Sequence, residues 1–313
     1  MTRRLIRAVF FPALFPALLP ALLPAAASFL AAAWLLAPDL RAQAGNRERT
    51  LFVSALDDKR EPVEGLGPAD FIVREDGQRR EVLRVSRAIE PIDIALLVDT
   101  SASAANAISS IRDGITGFVA KMAPHNQIAI ISLADRPTVF VDYTSDAKRL
   151  EGGIGRLFSM STSGMTLLDA IVETSTGLRK RETPRAVIVP VITDGVEYSN
   201  RYYRDVIAAM TLAGAPLHAL AIGSFYTTGD NAERERAFVL DIGTRETGGQ
   251  RVTLLADSAI IPALAKLARE LSSQYKVVYG RPESLIPSEK TDITSGRKGV
   301  TMHGAPARGQ TGA

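Results

Sequence analysis

Two apolar runs organise the chain. Ile94-Ala-Leu-Leu-Val leads straight into Asp99, and Ala186-Val-Ile-Val-Pro-Val-Ile-Thr leads into Asp194-Gly195. Unbroken apolar strands of this kind are buried on both faces, as in a parallel sheet covered by helices on each side. From Pro91 onward such runs alternate with helical periodicity, the pattern of an open α/β sheet. The spacing predicts strands over 92–98, 127–133, 138–142, 186–193, 216–222, 250–254 and 275–279. It predicts helices over 104–122, 146–157, 167–180, 202–213, 232–246 and 258–273. The strand over 138–142 follows Leu133-Ala-Asp-Arg-Pro137 so closely that it reads as an antiparallel edge strand added to the parallel sheet. Pro190, mid-strand, removes a ladder hydrogen bond and predicts a bulge there.

Upstream the period changes to two. Leu51–Leu56, Phe71–Glu75 and Arg80–Val85 read as short strands, with Asp76-Gly77 as a hairpin turn and Pro62, Gly65, Gly67 and Pro68 marking the loop before it. So few strands cannot close a core, so this unit leans on the α/β domain or recruits another strand. Thr291–Met302 carries two short strand-like pieces around Gly296 and Gly299, expected to return to it. Residues after His303 offer nothing to bury and read as disordered. The expected organisation is an accessory β unit over 45–89, an α/β domain over 90–280, C-terminal strands over 281–302 and a tail over 303–313. The fold class is α/β, a doubly wound, mostly parallel six-stranded sheet with one antiparallel edge strand, plus a small accessory β unit from the two flanks.

Residues 1–44 read as a leader. Arg3, Arg4 and Arg7 precede an apolar stretch from Ala8 to Pro38, then Ala42-Gln43-Ala44 supplies a small-x-small cleavage pattern. Pro12, Pro16, Pro20 and Pro24 break its first half and leave Ala25–Leu36 as the signal core. Cleavage after Ala44 releases a periplasmic, secreted or envelope-associated protein. Retention leaves an N-terminal anchor long enough to span a bilayer, the one route to a membrane. The leader holds Arg3, Arg4, Arg7 and Arg41 against Asp39 alone, so the 37 basic and 34 acidic residues of the whole chain balance beyond it. A neutral mature chain gives no electrostatic reason to bind nucleic acid. Arg179-Lys-Arg181 ends a predicted helix, where cations suit the macrodipole. There is no cysteine, so the exported domain is held by packing without disulfides.

The candidate chemistry is all oxygen. Asp99, Ser101, Ser103, Thr166 and Asp194 lie where strands end and helices begin. Mg²⁺ takes six oxygens, and open α/β sheets bind ligands beyond the carboxyl ends of strands, where the strand order reverses. Each segment alone has a plainer reading: Ser101, Ser103 and Thr166 as helix N-caps, and Asp-Gly as a loop start. All three segments in order favour a metal site. His125, His218 and His303 are isolated and read as surface or core residues.

Asp99-Thr-Ser101-Ala-Ser103, with Thr166 and Asp194-Gly195 in order, resembles the metal-ion-dependent adhesion site of von Willebrand factor type A domains. The resemblance covers about Pro91 to Gly280 and implies a strand order of 3-2-1-4-5-6, with Asp99 and Asp194 on neighbouring strands. It implies Ser101 and Ser103 as direct ligands of Mg²⁺, Mn²⁺ or Ca²⁺, Thr166 as a third hydroxyl bound when a partner engages, and Asp99 and Asp194 acting largely through coordinated waters. A protein partner's exposed Asp or Glu then supplies the sixth oxygen. Val63–Phe71, Arg74–Gly77, Thr247-Gly-Gly249 and Gln274–Tyr279 are similar to exported bacterial, acidobacterial-type domains related to this family, although the basic-aromatic strand pair that usually closes them is degenerate here.

The resulting expectation is a metal-dependent adhesion module rather than an enzyme. Glu197 and Ser199 are expected on the rim, with Tyr198, Arg201 and Tyr202 as further partner-facing candidates. Two other classes compete. A metal-dependent hydrolase would want a His-x-x-x-His pair or a Gly-x-Ser-x-Gly elbow, and the chain has neither. A structural envelope module with a vestigial site would be indifferent to metal.

Overall fold

A computed structural model describes residues 46–307 apart from 182, 224, 226–229, 283–285, 287 and 289. The leader expected over 1–44 lies outside the described residues. The chain enters through β1 (Asn46–Leu56), β2 (Phe71–Glu75), β3 (Gln78–Arg80) and β4 (Val82–Arg87). Asp76 and Gly77 between β2 and β3 both take positive φ, 48° and 80°, the backbone that a two-residue hairpin of this twist requires.

The α/β part follows with β5 (Ile92–Asp99), α1 (Ile108–Met122), β6 (Gln127–Leu133), β7 (Pro137–Thr144), α2 (Ala147–Ile154), α3 (Leu167–Arg179), β8 (Arg185–Thr193), α4 (Tyr203–Ala213) and β9 (His218–Ile222). Next come α5 (Asn231–Phe238), a π turn (Val239–Gly243), α6 (Thr244–Glu246), β10 (Gln250–Leu254) and α7 (Ile260–Ser272). The six strands run in the order β10-β9-β8-β5-β6-β7, all pairs parallel except β6 with β7. Numbered from β5, this is the expected 3-2-1-4-5-6 order with its antiparallel edge.

Alternate residues of β5 feed opposite cores. Ile94, Leu96 and Val98 pack in the layer that includes Ile111 and Ile115 of α1 and Leu264 of α7. Ala95 and Leu97 pack in the layer that includes Leu168 and Ile171 of α3 and Met210 of α4. All eight residues of β5 are buried, which explains why its sequence shows no polar alternation.

No bulge forms at Pro190. Its register against β5 is continuous through Leu97↔Pro190, and on the other side Ile188↔Leu217 and Val191↔Leu220 keep one register across it. Ile188 N–H donates to Pro216 O, so the nitrogen two residues on also faces β9, and the missing ladder bond falls there.

The strand expected over 275–279 leaves the large sheet. It is β11 (Tyr275–Pro282), which pairs antiparallel with β1 and β4. With β12 (Thr291–Ser295) and β13 (Thr301–Pro306) it completes a four-stranded sheet, β13-β1-β11-β4, and a three-stranded one, β12-β2-β3. Leu51, Val53, Phe71, Val73, Tyr275, Val277 and Met302 form the core they share. The Phe71 and Tyr275 rings meet edge-on at 5.4 Å, and Tyr279 Oη donates to Glu75 Oε1 at 2.8 Å. Recruitment of three C-terminal strands resolves the shortage that β1 to β4 present. It also moves the tail: His303–Pro306 complete β13 and Ala307 is buried, in place of disorder from residue 303.

Arg185 ties the two parts together. It is 6% exposed, stacks over Phe52 at 4.9 Å, and donates to Glu90 O at 2.6 Å, Leu271 O at 3.2 Å and Gln274 Oε1 at 2.6 Å.

Candidate functional site

The strand order reverses between β5 and β8, so the loops leaving these neighbours splay apart and open a crevice above their carboxyl ends. Asp99 stands there with no exposure. Its Oδ1 accepts from Ser101 N at 2.9 Å, and its Oδ2 accepts from Thr193 N at 2.9 Å and Thr193 Oγ1 at 2.5 Å. Ser103 Oγ lies 2.6 Å from Thr193 Oγ1 and 2.8 Å from Ser101 Oγ.

Proton direction in this chain is fixed at one end. A carboxylate only accepts, so Thr193 donates to Asp99, Ser103 donates to Thr193, and Ser101 donates to Ser103. Both lone pairs of Ser101 Oγ and one of Ser103 Oγ are left over. Nor do these oxygens serve as caps: neither Ser101 nor Thr166 makes a side-chain capping bond to the helical turn it precedes. Ser101 and Thr166 therefore do not act as the side-chain caps of the plainer reading.

Gly195 closes one side of the pair. A Cβ there would fall 2.1 Å from Ser103 Oγ and 3.3 Å from Ser101 Oγ, so any larger residue would fill the space beside both hydroxyls. Arg236 holds this turn, its Nη1 donating to Gly195 O. Burial lowers the pKa of its guanidinium, while Glu197, Asp99 and Asp194 act to keep its charge.

Asp194 follows Thr193 and is exposed. It faces Gly223, where a Cβ would come within 2.5 Å of Asp194 Oδ2. Thr166 sits on an adjoining loop that is stitched to the other two. Met160 N donates to Thr100 O at 2.8 Å, Ala102 N to Ser163 O at 3.0 Å, and Met165 N to Val196 O at 2.8 Å. The Thr166 hydroxyl itself donates to Ala134 O at 3.0 Å. Asp99, Ser101 and Ser103 are thus joined directly, Asp194 adjoins them through Thr193 and Gly195, and Thr166 is joined through its backbone.

The sequence did not point to Thr193 or Arg236. Thr193 reads as one more β-branched strand residue, and Arg236 lies in a charge-rich helix turn that looks solvated. Two expected rim residues prove to be interior: Glu197 and Ser199 are each 2% exposed. Ser199 N donates to Glu197 Oε1 at 3.2 Å, and Asp169 N donates to Ser199 Oγ at 3.0 Å. Tyr198 and Tyr202 do reach the surface, as does Arg201, which pairs with Asp169 at 2.6 Å.

Burial pushes the Glu197 carboxyl from 4.5 up to about 7, with Ser199 and Arg236 pulling the other way. A raised folded value means that the folded state keeps a proton the unfolded chain releases. Its contribution to stability is complete below pH 4.5 and is lost as the pH rises through about 7. Glu197→Gln, which stays neutral, removes that slope. The stability of the variant relative to wild type should rise across this window by up to about 3 kcal/mol. A relative stability flat with pH in urea titrations contradicts the assignment.

The donor set suits a hard divalent cation: two carboxylates, free hydroxyl lone pairs, no sulfur or imidazole, and a cradle left open by glycine. Among the described residues no three His, Asp or Glu gather to hold a metal, so any ion here depends on the hydroxyls.

Residues 94–197, which include all five candidate ligands, match the family model of the von Willebrand factor type A domain. Over that segment the chain is similar to the von Willebrand factor type A domain. No curated protein matches the sequence. Among solved structures, the vWF domain of the type V pili tip protein Mfa5 from Porphyromonas gingivalis is 13% identical, with 58% of this chain and 95% of that one covered at a TM-score of 0.44. The pilus adhesin SpaC from Lactobacillus rhamnosus GG is 11% identical, with 82% and 48% covered at 0.48, so the match spans about half of that chain. BatB from Bacteroides thetaiotaomicron is 15% identical, with 58% and 100% covered at 0.45. Likenesses this distant carry no argument about partner or location. The segments that lead into Thr166 and away from Asp194 expose Phe158, Met160, Val196, Tyr198 and Tyr202.

Proposed function

We propose that this chain carries a von Willebrand factor type A domain acting as an exported, metal-dependent adhesion module that grips an acidic side chain of a protein partner. The observation that carries the reading is the pair of Ser101 and Ser103 hydroxyls, 2.8 Å apart beside buried Asp99, with lone pairs free. Ser101, Ser103 and Thr166 are the hydroxyl ligands in this reading, and Asp99 and Asp194 are the carboxylates. A bound Mg²⁺, Mn²⁺ or Ca²⁺ supplies an electrophilic centre for a partner's Asp or Glu oxygen.

The protein's own residues set how strongly that centre attracts. Asp99 already accepts three hydrogen bonds, so its charge is shared with Thr193 and Ser101. Arg236 adds a buried positive charge near both carboxylates. Both effects leave the site short of negative charge, which favours an anionic partner. Gly195 keeps the cradle open. Tyr198, Arg201 and Tyr202, exposed on the segment after Asp194, are the residues this reading assigns to partner selection. The leader with its Ala42-Gln43-Ala44 pattern supports export.

Affinity capture from cell-envelope extract tests the reading. A partner should be retained in Mg²⁺, released by EDTA, and not retained by the Ser101→Ala/Ser103→Ala variant. Retention of the same partner in EDTA would refute metal-dependent adhesion.

A further inference from the structure

At the edge of the sheet opposite Asp99, where β9 and β10 begin, a cavity of about 260 Å³ opens beneath α7. Besides Arg60 and Lys266, three polar side chains line it: His218, Gln250 and Glu270. His218 is 1% exposed and neither ring nitrogen has a partner; Glu270 is 4% exposed and its Oε1 has none; Gln250 Oε1 also has none. Gln250 Nε2 donates to the other Glu270 oxygen, and His218 Nδ1 stands 4.0 Å from Glu270 Oε1, beyond hydrogen-bond reach. Buried polar atoms without partners are destabilising, and native folds keep few of them. Four atoms gathered at one cavity mark a place where something binds.

The chemistry of the occupant follows from what is missing. Burial pushes the His218 imidazole down to about 3, so it is neutral, with one nitrogen accepting. Glu270 Oε1, Gln250 Oε1 and that nitrogen make three acceptors, and a primary ammonium has three donors. Leu220, Val252 and Leu267 supply apolar wall, which water fills poorly. No metal-ligand cluster exists there among the described residues.

The mouth is cationic. Lys266 is already engaged, by Glu61 at 3.7 Å and by Lys59 O. Arg60 is exposed and held at φ 61°, a left-handed backbone that non-glycine residues rarely adopt. Asp57 enforces it: its carbonyl accepts from Arg60 N at 2.8 Å and its Oδ1 from Lys59 N and Glu61 N at 2.9 and 2.8 Å. Such strain persists only where the surroundings fix it, and here it sets a guanidinium at the entrance. With Lys266 engaged, Arg60 is the cation left at the mouth to take an anionic group, so a zwitterion satisfies both ends.

We infer that this cavity binds a free α-amino acid with an apolar side chain, its ammonium among His218, Gln250 and Glu270 and its carboxylate on Arg60. The site is separate from the Asp99 loops and owes nothing to a metal.

Calorimetric titration of the full chain in EDTA, with L-leucine as probe, tests it. L-Leucine should bind, N-acetyl-L-leucine should not, and Arg60→Ala, a surface change that leaves the core intact, should weaken binding about tenfold or more. Glu270→Gln, checked for folding by circular dichroism, should weaken it likewise. Absence of heat with L-leucine at millimolar concentration, equal binding of the acetylated form, or unchanged affinity in Arg60→Ala would overturn the assignment.

Discussion

Asp99→Ala should abolish the stabilisation that Mg²⁺ or Mn²⁺ gives the wild-type domain. A ligand bound only by the folded state at 100 times its dissociation constant adds about 2.7 kcal/mol, and the variant should show none of it. The same change leaves Ser101 N, Thr193 N and Thr193 Oγ1 without their acceptor. At about 1–3 kcal/mol for each buried donor, the variant is also less stable without metal. Asp99→Asn separates the two effects, because it keeps an acceptor oxygen while removing the charge. Both variants should melt at temperatures indifferent to Mg²⁺ and EDTA, with Asp99→Asn the higher. A metal-dependent melting temperature in Asp99→Asn equal to that of wild type would remove the carboxylate from the site.

Arg185→Ala should be the most damaging change away from the candidate site. Glu90 O, Leu271 O and Gln274 Oε1 lose their donor together, and Phe52 loses the guanidinium over its ring. The loss is about 3–5 kcal/mol, the range for removing one member of a buried charged network. For a domain of this size that is a fall of roughly 6–12 °C in melting temperature. Arg84→Ala offers the contrast. Arg84 meets Glu48 at 2.5 Å, but both side chains are at least half exposed, so water and salt screen the pair and the midpoint should not move. Equal effects of the two substitutions in thermal unfolding would contradict the role assigned to Arg185.

The sheet was legible because β5 and β8 are buried on both faces, and burial on both faces writes an unbroken apolar run. The hairpin was legible because Asp76-Gly77 is the backbone chemistry its turn needs. Partnership was harder to read. Tyr275–Pro282 follows α7 as another strand would in an α/β sheet, and only the antiparallel edges of β1 and β4 draw it away. The oxygen donors were legible as residue types at the ends of three segments, and of these the structure joins Asp99, Ser101 and Ser103 directly, while the Thr166 hydroxyl donates to Ala134 O. Their wiring was not: Thr193 enters through a long-range bond to Asp99, and Glu197 is buried because its loop folds back onto Met165. Such contacts depend on how loops close over one another, which local periodicity does not encode.

In the proposed site Ser101 and Ser103, beside Asp99, coordinate a divalent cation. Anomalous diffraction from a crystal soaked in Mn²⁺ tests it most directly. One strong peak is expected within coordination distance of the Ser101 and Ser103 hydroxyls, lost in Asp99→Ala. A well-diffracting Mn²⁺-soaked crystal with no peak there, or with Mn²⁺ only elsewhere on the molecule, would contradict it.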